Sequence, residues 1–203
     1  MIAIIDYGMG NLRSVQKALE RVGGKDVRVT ADPALISSAD KVVFPGQGAM
    51  KPAMERLAEL GLFSVISSQI DSGKPFLGIC LGFQLLFETS TEGGIVKGLG
   101  ILPGIVERFP NTVKAPQIGW NSIEIAKKDC PMYRGVKDGA FVYFCHSYYT
   151  KPKDPSIAAT MTDYGIRYAS SVCVKNIWAV QFHPEKSQDV GLKILKNFVE
   201  IKI

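Results

Sequence analysis

The first half of the chain alternates between short apolar runs and segments with helical spacing. Ile2–Asp6 reads as a buried strand, an unbroken apolar run closed by an acid. Leu12, Val15, Leu19 and Val22 then recur at helical spacing behind Asn11, a suitable N-cap, until Gly23-Gly24 stops the helix. Val27–Thr30 and Lys41–Pro45 predict two more strands, the second running into the glycine-rich turn Gly46-Gln47-Gly48. Helices are expected around Ala53–Leu60 and Phe63–Ser72. A fourth strand follows at Phe76–Cys80, and directly after it a helical run over Leu81–Glu88. Such alternation with short connections implies a mainly parallel sheet with helices on both faces.

The pattern changes in the second half. From Gly100 to Phe182 it predicts strands and turns, with β-rich stretches at Ile101–Phe109, Phe141–Tyr149, Ile157–Thr162 and Tyr168–Val174. Helical spacing returns over Val190–Ile201, where Leu192, Leu195, Phe198 and Val199 are expected to share a face. The expected architecture is therefore an α/β sheet, extended by antiparallel strands and closed by a helix. No repeat or Gly/Ser/Pro linker divides the 203 residues, so a single domain over 1–203 is expected.

Composition narrows the class. With 46% hydrophobic and 21% charged residues the chain can bury a core without disulfides or metals. No apolar run reaches the roughly 18–20 residues of a membrane span. Met1-Ile-Ala-Ile-Ile-Asp6 lacks the basic start of a signal peptide, and a cytoplasmic location is expected. Cys80, Cys130, Cys145 and Cys173 show no C-x-x-C spacing and there are only 2 histidines, which argues against structural zinc or a disulfide framework. The net charge of +5 comes wholly from residues 102–203, since residues 1–101 hold ten basic and ten acidic side chains. Its lysines are scattered rather than clustered with aromatics. Nucleic acid is set aside, while an anionic protein partner stays open beside a merely solvated surface.

Gly78-Ile79-Cys80-Leu81-Gly82 stands where a strand turns into a helix, the cysteine counterpart of a nucleophile elbow. A sharp turn needs small residues two before and two after the nucleophile. It would set the Cys80 sulfur at a helix N-terminus, which favours thiolate, and aim the Leu81 N–H at the reacting centre. Read alone, the segment also suits a buried cysteine ending a core strand. His146 and His183 are the candidate bases, each at the end of an apolar run. His183 stands out because Glu185 follows across Pro184: extended geometry at His183 would put both side chains on one side, where the carboxylate orients the imidazole. Pro45-Gly46-Gln47-Gly48 ends a neighbouring strand and offers backbone N–H groups for an oxyanion.

These residues resemble the class I (triad) glutamine amidotransferases, through Gly78-x-Cys80-x-Gly82-x-Gln84, Pro45-Gly46-x-Gly48 and His183-Pro184-Glu185, in order and over nearly the whole chain. Four segments are most similar to the branch of glutaminase subunits that serves imidazole glycerol phosphate synthesis: Ile5–Arg13, Gly119-Trp120-Asn121, Tyr143–Tyr148 and Gln181–Ser187. The resemblance implies a flavodoxin-like fold and hydrolysis of L-glutamine, with Cys80, His183 and Glu185 catalytic. It implies an oxyanion hole at Gly46, Gln47 and Leu81, and substrate contacts from Gln84, Ser147 and Tyr148. It further implies a (β/α)8-barrel cyclase partner docked at Trp120, Asn121, Tyr143 and Lys186, with no metal or organic cofactor. Where many relatives carry valine and phenylalanine, this chain has Gln47 and Met50, which puts the orientation of the oxyanion turn in question. Other triad branches and a non-catalytic module on the same fold stand as alternatives.

Overall fold

In the computed structural model, which describes residues 1–202, the chain builds one mixed sheet. β1 (Ile2–Ile5), β2 (Val27–Thr30), β3 (Lys41–Gly46) and β4 (Phe76–Cys80) pair in parallel in the spatial order β2-β1-β3-β4. Every residue of β1 and β4 is buried, as coverage on both faces requires. The covering helices are α1 (Leu12–Arg21), α2 (Pro33–Ser38), α3 (Met50–Glu59) and α4 (Leu62–Asp71). Asn11 caps α1 by accepting the Ser14 N–H at 3.3 Å. Alternation along the strands sorts the core into two layers: Ile2, Ile4, Val43 and Leu77 pack with α1, and Ala3, Ile5, Val42 and Phe44 with the other three helices. The short α2 shows too few residues for a period to be read, though its start carries a cap, the Asp32 carboxylate accepting the Ala34 N–H at 2.8 Å.

The helical run expected over Leu81–Glu88 is cut short. α5 (Leu81–Gln84) is a single turn, and β5 (Phe87–Ser90) begins soon after it. Leu85, Leu86 and Phe87 are all fully buried, so the run packs on every side instead of along one helical stripe. β6 (Val96–Lys97) and β7 (Leu102–Arg108) flank β5. β8 (Gln117–Ile125), a strand the sequence reading did not contain, pairs with β9 (Ala140–His146). The stretch expected as one strand over Phe141–Tyr149 breaks at Ser147, and β10 (Tyr148–Pro152) turns away to pair with β7.

β11 (Ala158–Asp163), β12 (Arg167–Val174) and β13 (Ile177–Val180) follow. β13 positions the site. It is antiparallel to β12 but parallel to β4, with Val180 opposite Ile79, so a late strand joins the parallel set at its β4 edge, where the antiparallel strands begin. The residues after Val180 therefore emerge beside Cys80. α6 (Gln188–Glu200) closes the α1 side of the sheet through Gly191, Ile194, Leu195 and Phe198. Leu192 and Val199, expected on its inner face, are only half-buried at its margin.

Candidate active site

Cys80 stands between β4 and α5 with φ 54° and ψ −108°, a left-handed backbone seldom adopted by a side-chain-bearing residue. The flanking glycines make the turn possible. A Cβ on Gly78 would come 3.1 Å from the Ala179 Cβ, and one on Gly82 would run into the Phe44 carbonyl. With only one turn of helix behind it, the thiol gains little from a macrodipole; what α5 offers is its leading N–H groups.

The β13–β4 register brings His183 and Glu185 to the same edge. His183 Nδ1 and Glu185 Oε1 are 2.9 Å apart, both side chains almost wholly buried. His183 is extended (φ −100°, ψ 95°), as the proline after it favours, but Glu185 lies in a 3-10 turn over Pro184–Lys186. The pairing is thus made by a curled turn and not by strand alternation. Burial acts to lower the His183 pKa, yet the nearby Cys80 sulfur and the hydrogen bond and charge of Glu185 outweigh it and raise the value to about 10. Within the protein His183 Nε2 and Glu185 Oε2 are buried without a hydrogen-bond partner. A thiol, an imidazole with an open nitrogen and an orienting carboxylate form a set able to attack an acyl carbon and shuttle the proton.

Gly46 stands directly opposite Cys80 at the end of β3. The Val42 N–H donates to the Pro75 carbonyl at 2.9 Å, so by alternation Val42, Phe44 and Gly46 face β4. The Gly46 carbonyl is thereby aimed toward Leu81, with the Gln47 N–H turned the other way. Gly10 lies over this peptide: a Cβ there would be 3.3 Å from the Gly46 Cα and 3.6 Å from the Gln47 nitrogen. Tyr7 lies against it too, its fully buried hydroxyl unpartnered beside the Gly46 Cα. The cavity between Gly46-Gln47 and His183-Glu185 holds only about 10 Å³. A cavity of about 1200 Å³ lies at the opposite end of β13, bordered by Asn176, Trp178 and Lys193, away from this chemistry.

Gln84 Nε2 donates to the Tyr148 carbonyl and to Gln181 Oε1, both at 2.9 Å, which brings Gln84, Ser147 and Tyr148 together on one side of Cys80. Gln181 was not singled out from the sequence. Being the first residue past β13 it lies beside Cys80, and its Nε2 is 3.8 Å from the sulfur.

Trp120 and Tyr143 are cross-strand partners in β8 and β9, their rings edge to face at 6.3 Å, with Lys186 Nζ 5.8 Å from the Tyr143 ring centre. Asn121 turns to the other face of the hairpin, where its Nδ2 donates to the Asp163 carbonyl at 2.8 Å. The Trp120 face also carries exposed Ile118 and Phe141, 61% and 59% accessible. Together they make a larger apolar patch than the motif residues alone indicated. The alternation Ile118-x-Trp120 was the available signal.

The model of the glutamine amidotransferase class-I family matches residues 3–201, and the chain belongs to that family. A solved glutamine amidotransferase structure superposes with a TM-score of 0.76 at 16% identity, covering 99% of this chain and 100% of the other. At higher identity, the chain is similar to imidazole glycerol phosphate synthase subunit HisH. It is 52% identical to the HisH of Syntrophotalea carbinolica, over 98% of each chain. It is 56% identical to that of Aquifex aeolicus, over 96% of this chain and 94% of the relative.

Proposed function

We propose that this chain is the glutaminase subunit of an imidazole glycerol phosphate synthase. It hydrolyses L-glutamine to glutamate and ammonia and passes the ammonia to a (β/α)8-barrel cyclase subunit in histidine biosynthesis, as a cytoplasmic heterodimer. The observation that carries the reading is Cys80 in its left-handed turn beside the buried His183–Glu185 pair, in a chain alike from end to end with HisH subunits.

The Cys80 sulfur, whose proton His183 Nε2 already holds, adds as thiolate to the carboxamide carbon of glutamine. The Leu81 N–H holds the oxyanion, joined by the Gln47 N–H once the Gly46-Gln47 peptide turns over. The carbon–nitrogen bond breaks as His183 returns the proton to nitrogen, releasing ammonia and leaving a thioester on Cys80. Water then adds, giving its proton to His183, and the carbon–sulfur bond breaks to release glutamate and restore the thiolate beside the protonated imidazole. Glu185 holds the ring and stabilises its cation. Gln84 and the backbone of Ser147 and Tyr148 take the amino-acid end of the substrate. No step calls on a metal or organic cofactor. Trp120, Tyr143 and Lys186, with Ile118 and Phe141, form the docking face for the cyclase, and Asn121 braces the hairpin behind it. Enclosure of the interface keeps ammonia from being protonated in water.

The reading is tested by joining the chain with the cyclase. Glutamine hydrolysis is expected to rise strongly in the complex with cyclase ligand bound, and a glutamine-analogue electrophile to label Cys80. Cys80→Ala is expected to abolish glutamine-dependent synthesis while ammonia-dependent synthesis persists. A complex that hydrolyses glutamine without Cys80, or is never labelled there, would overturn it.

A further inference from the structure

We infer that Gln181 is a positioning residue for the nucleophile: its side-chain amide donates to the Cys80 sulfur, and a hydrogen-bond chain rooted in a backbone carbonyl holds it in that orientation. This rests on Cys80 being the nucleophile.

The Tyr148 carbonyl can only accept, and two side chains meet it, Gln84 Nε2 at 2.9 Å and His146 Nδ1 at 2.7 Å. Both must donate. The second proton of the Gln84 amide then points at Gln181, 2.9 Å away, where only the oxygen of that amide can receive it. The nitrogen end of Gln181 is left facing Cys80 at 3.8 Å. Turning the Gln181 amide over would set nitrogen against nitrogen and carbonyl oxygen against sulfur, two losses in a fully buried place.

With Nδ1 protonated toward Tyr148, a neutral His146 leaves Nε2 as an acceptor 3.2 Å from the Tyr168 hydroxyl, whose single proton goes to Gln117 Oε1 at 3.0 Å. Burial holds the His146 pKa down at about 4, so the ring stays neutral. Donors thus run one way from Gln84 to the sulfur. An N–H aimed at sulfur favours thiolate over thiol. Because Gln84 supplies the lock while its own Oε1 stays uncommitted, the substrate contact and the nucleophile's donor share one network.

The test is the ¹³Cβ shift of Cys80 across pH, in cysteine-labelled full-length protein, with Cys80→Ala to assign the signal. Gln181→Glu and Gln181→Met are compared with wild type. In Gln181→Glu the thiol–thiolate transition is expected to move up by about one pH unit, and in Gln181→Met by about half a unit. If Gln181→Glu does not fold, the shift in Gln181→Met decides. Identical transitions in wild type and in the folded variants would overturn the inference. Failure of the electrophile to label wild-type Cys80 in the complex is the separate result that would overturn the glutaminase reading.

Discussion

The backbone N–H of His183 donates to the Tyr143 carbonyl at 2.9 Å, which ties the base to the strand carrying the exposed apolar face. Ser187 doubles the tie. Its fully buried hydroxyl accepts the Tyr143 N–H at 2.9 Å and donates to the His183 carbonyl at 2.6 Å. In the proposed complex, a shift of β9 on docking would reach the imidazole through these two short links. Ser187→Ala leaves the Tyr143 N–H unpaired, while the His183 carbonyl still accepts the Lys186 N–H at 3.0 Å, an expected loss of about 1–3 kcal/mol. Urea unfolding checks the stability. Glutaminase turnover of the complex is expected to fall about tenfold, because the ring is held less firmly, while affinity for the cyclase is unchanged.

The docking face itself is tested at Phe141. This side chain is 59% exposed on the same face as Trp120 and makes no part of the Cys80 region. Phe141→Ser is expected to weaken association with the cyclase by at least tenfold, as removal of a buried interface aromatic does. It leaves the melting temperature of the free chain close to wild type. Calorimetric titration of the two subunits reads the first effect and thermal unfolding the second. Unchanged affinity would move the partner's footprint elsewhere.

The two histidines should titrate on opposite sides of neutrality. His183 is raised to about 10, against burial, by Cys80 and Glu185, while His146 is lowered to about 4 by burial. Both start from an ordinary value of 6.5. For His183 the folded state holds its proton longer than the unfolded chain, so its contribution to stability is full below pH 6.5 and is lost as the pH rises to about 10. For His146 the unfolded chain takes the proton first, so stability is lost as the pH falls from 6.5 to about 4. Since the chain has only 2 histidines, imidazole NMR resolves the pair cleanly. Neither ring is expected to titrate near its ordinary value, and a midpoint there in either would refute the assignment.

The sequence carried the parts of this picture that depend on local chemistry. β1 was legible as an unbroken apolar run closed by an acid, β3 as one closed by proline and glycine, β4 as one reaching the Cys80 turn, and β2 as a short Val-Arg-Val alternation. The Cys80 turn was legible because Gly78 and Gly82 flank it at the spacing a steric clash requires. The pairing of His183 with Glu185 was also legible, though the expected reason was strand alternation and the observed one a 3-10 turn. What depended on distant contacts was not. Leu85–Phe87 reads as helix until β7 is present to pair with it. Gln181 is an ordinary polar residue until β13 slots against β4 and carries it to the sulfur. The direction of the Gly46 carbonyl follows from ladder alternation across two strands, which no single segment encodes.

The imidazole and the carboxylate that orients it are expected to differ in weight. In the proposed mechanism His183 moves the proton in every step, whereas Glu185, 2.9 Å from Nδ1, holds the ring and stabilises its cation. His183→Ala is expected to lower glutamine turnover of the complex by about 10⁴-fold or more, and Glu185→Ala by about ten- to a hundredfold less than that. Ammonia-dependent synthesis, measured alongside, should stay near wild type in both. Equal losses would mean that Glu185 does more than orient.

Tyr7 and Gly46 supply the sharpest pair. The Tyr7 hydroxyl is buried with no partner and lies where a Cβ at position 46 would have to go, with the Leu81 Cβ 3.0 Å and the Gly82 nitrogen 3.2 Å from that same point. Tyr7→Phe removes an unsatisfied polar atom, so the folded state is expected to gain about 1 kcal/mol. Gly46→Ala forces the turn away from Tyr7 and is expected to destabilise the chain by about 1–3 kcal/mol, as overpacking does. In the double variant the largest clash is gone, and the loss from Gly46→Ala should shrink by about half, since residues in contact do not act additively. Urea unfolding of the four proteins reads this coupling directly. Strict additivity would show that the Gly46 turn and the Tyr7 hydroxyl are not in contact in solution.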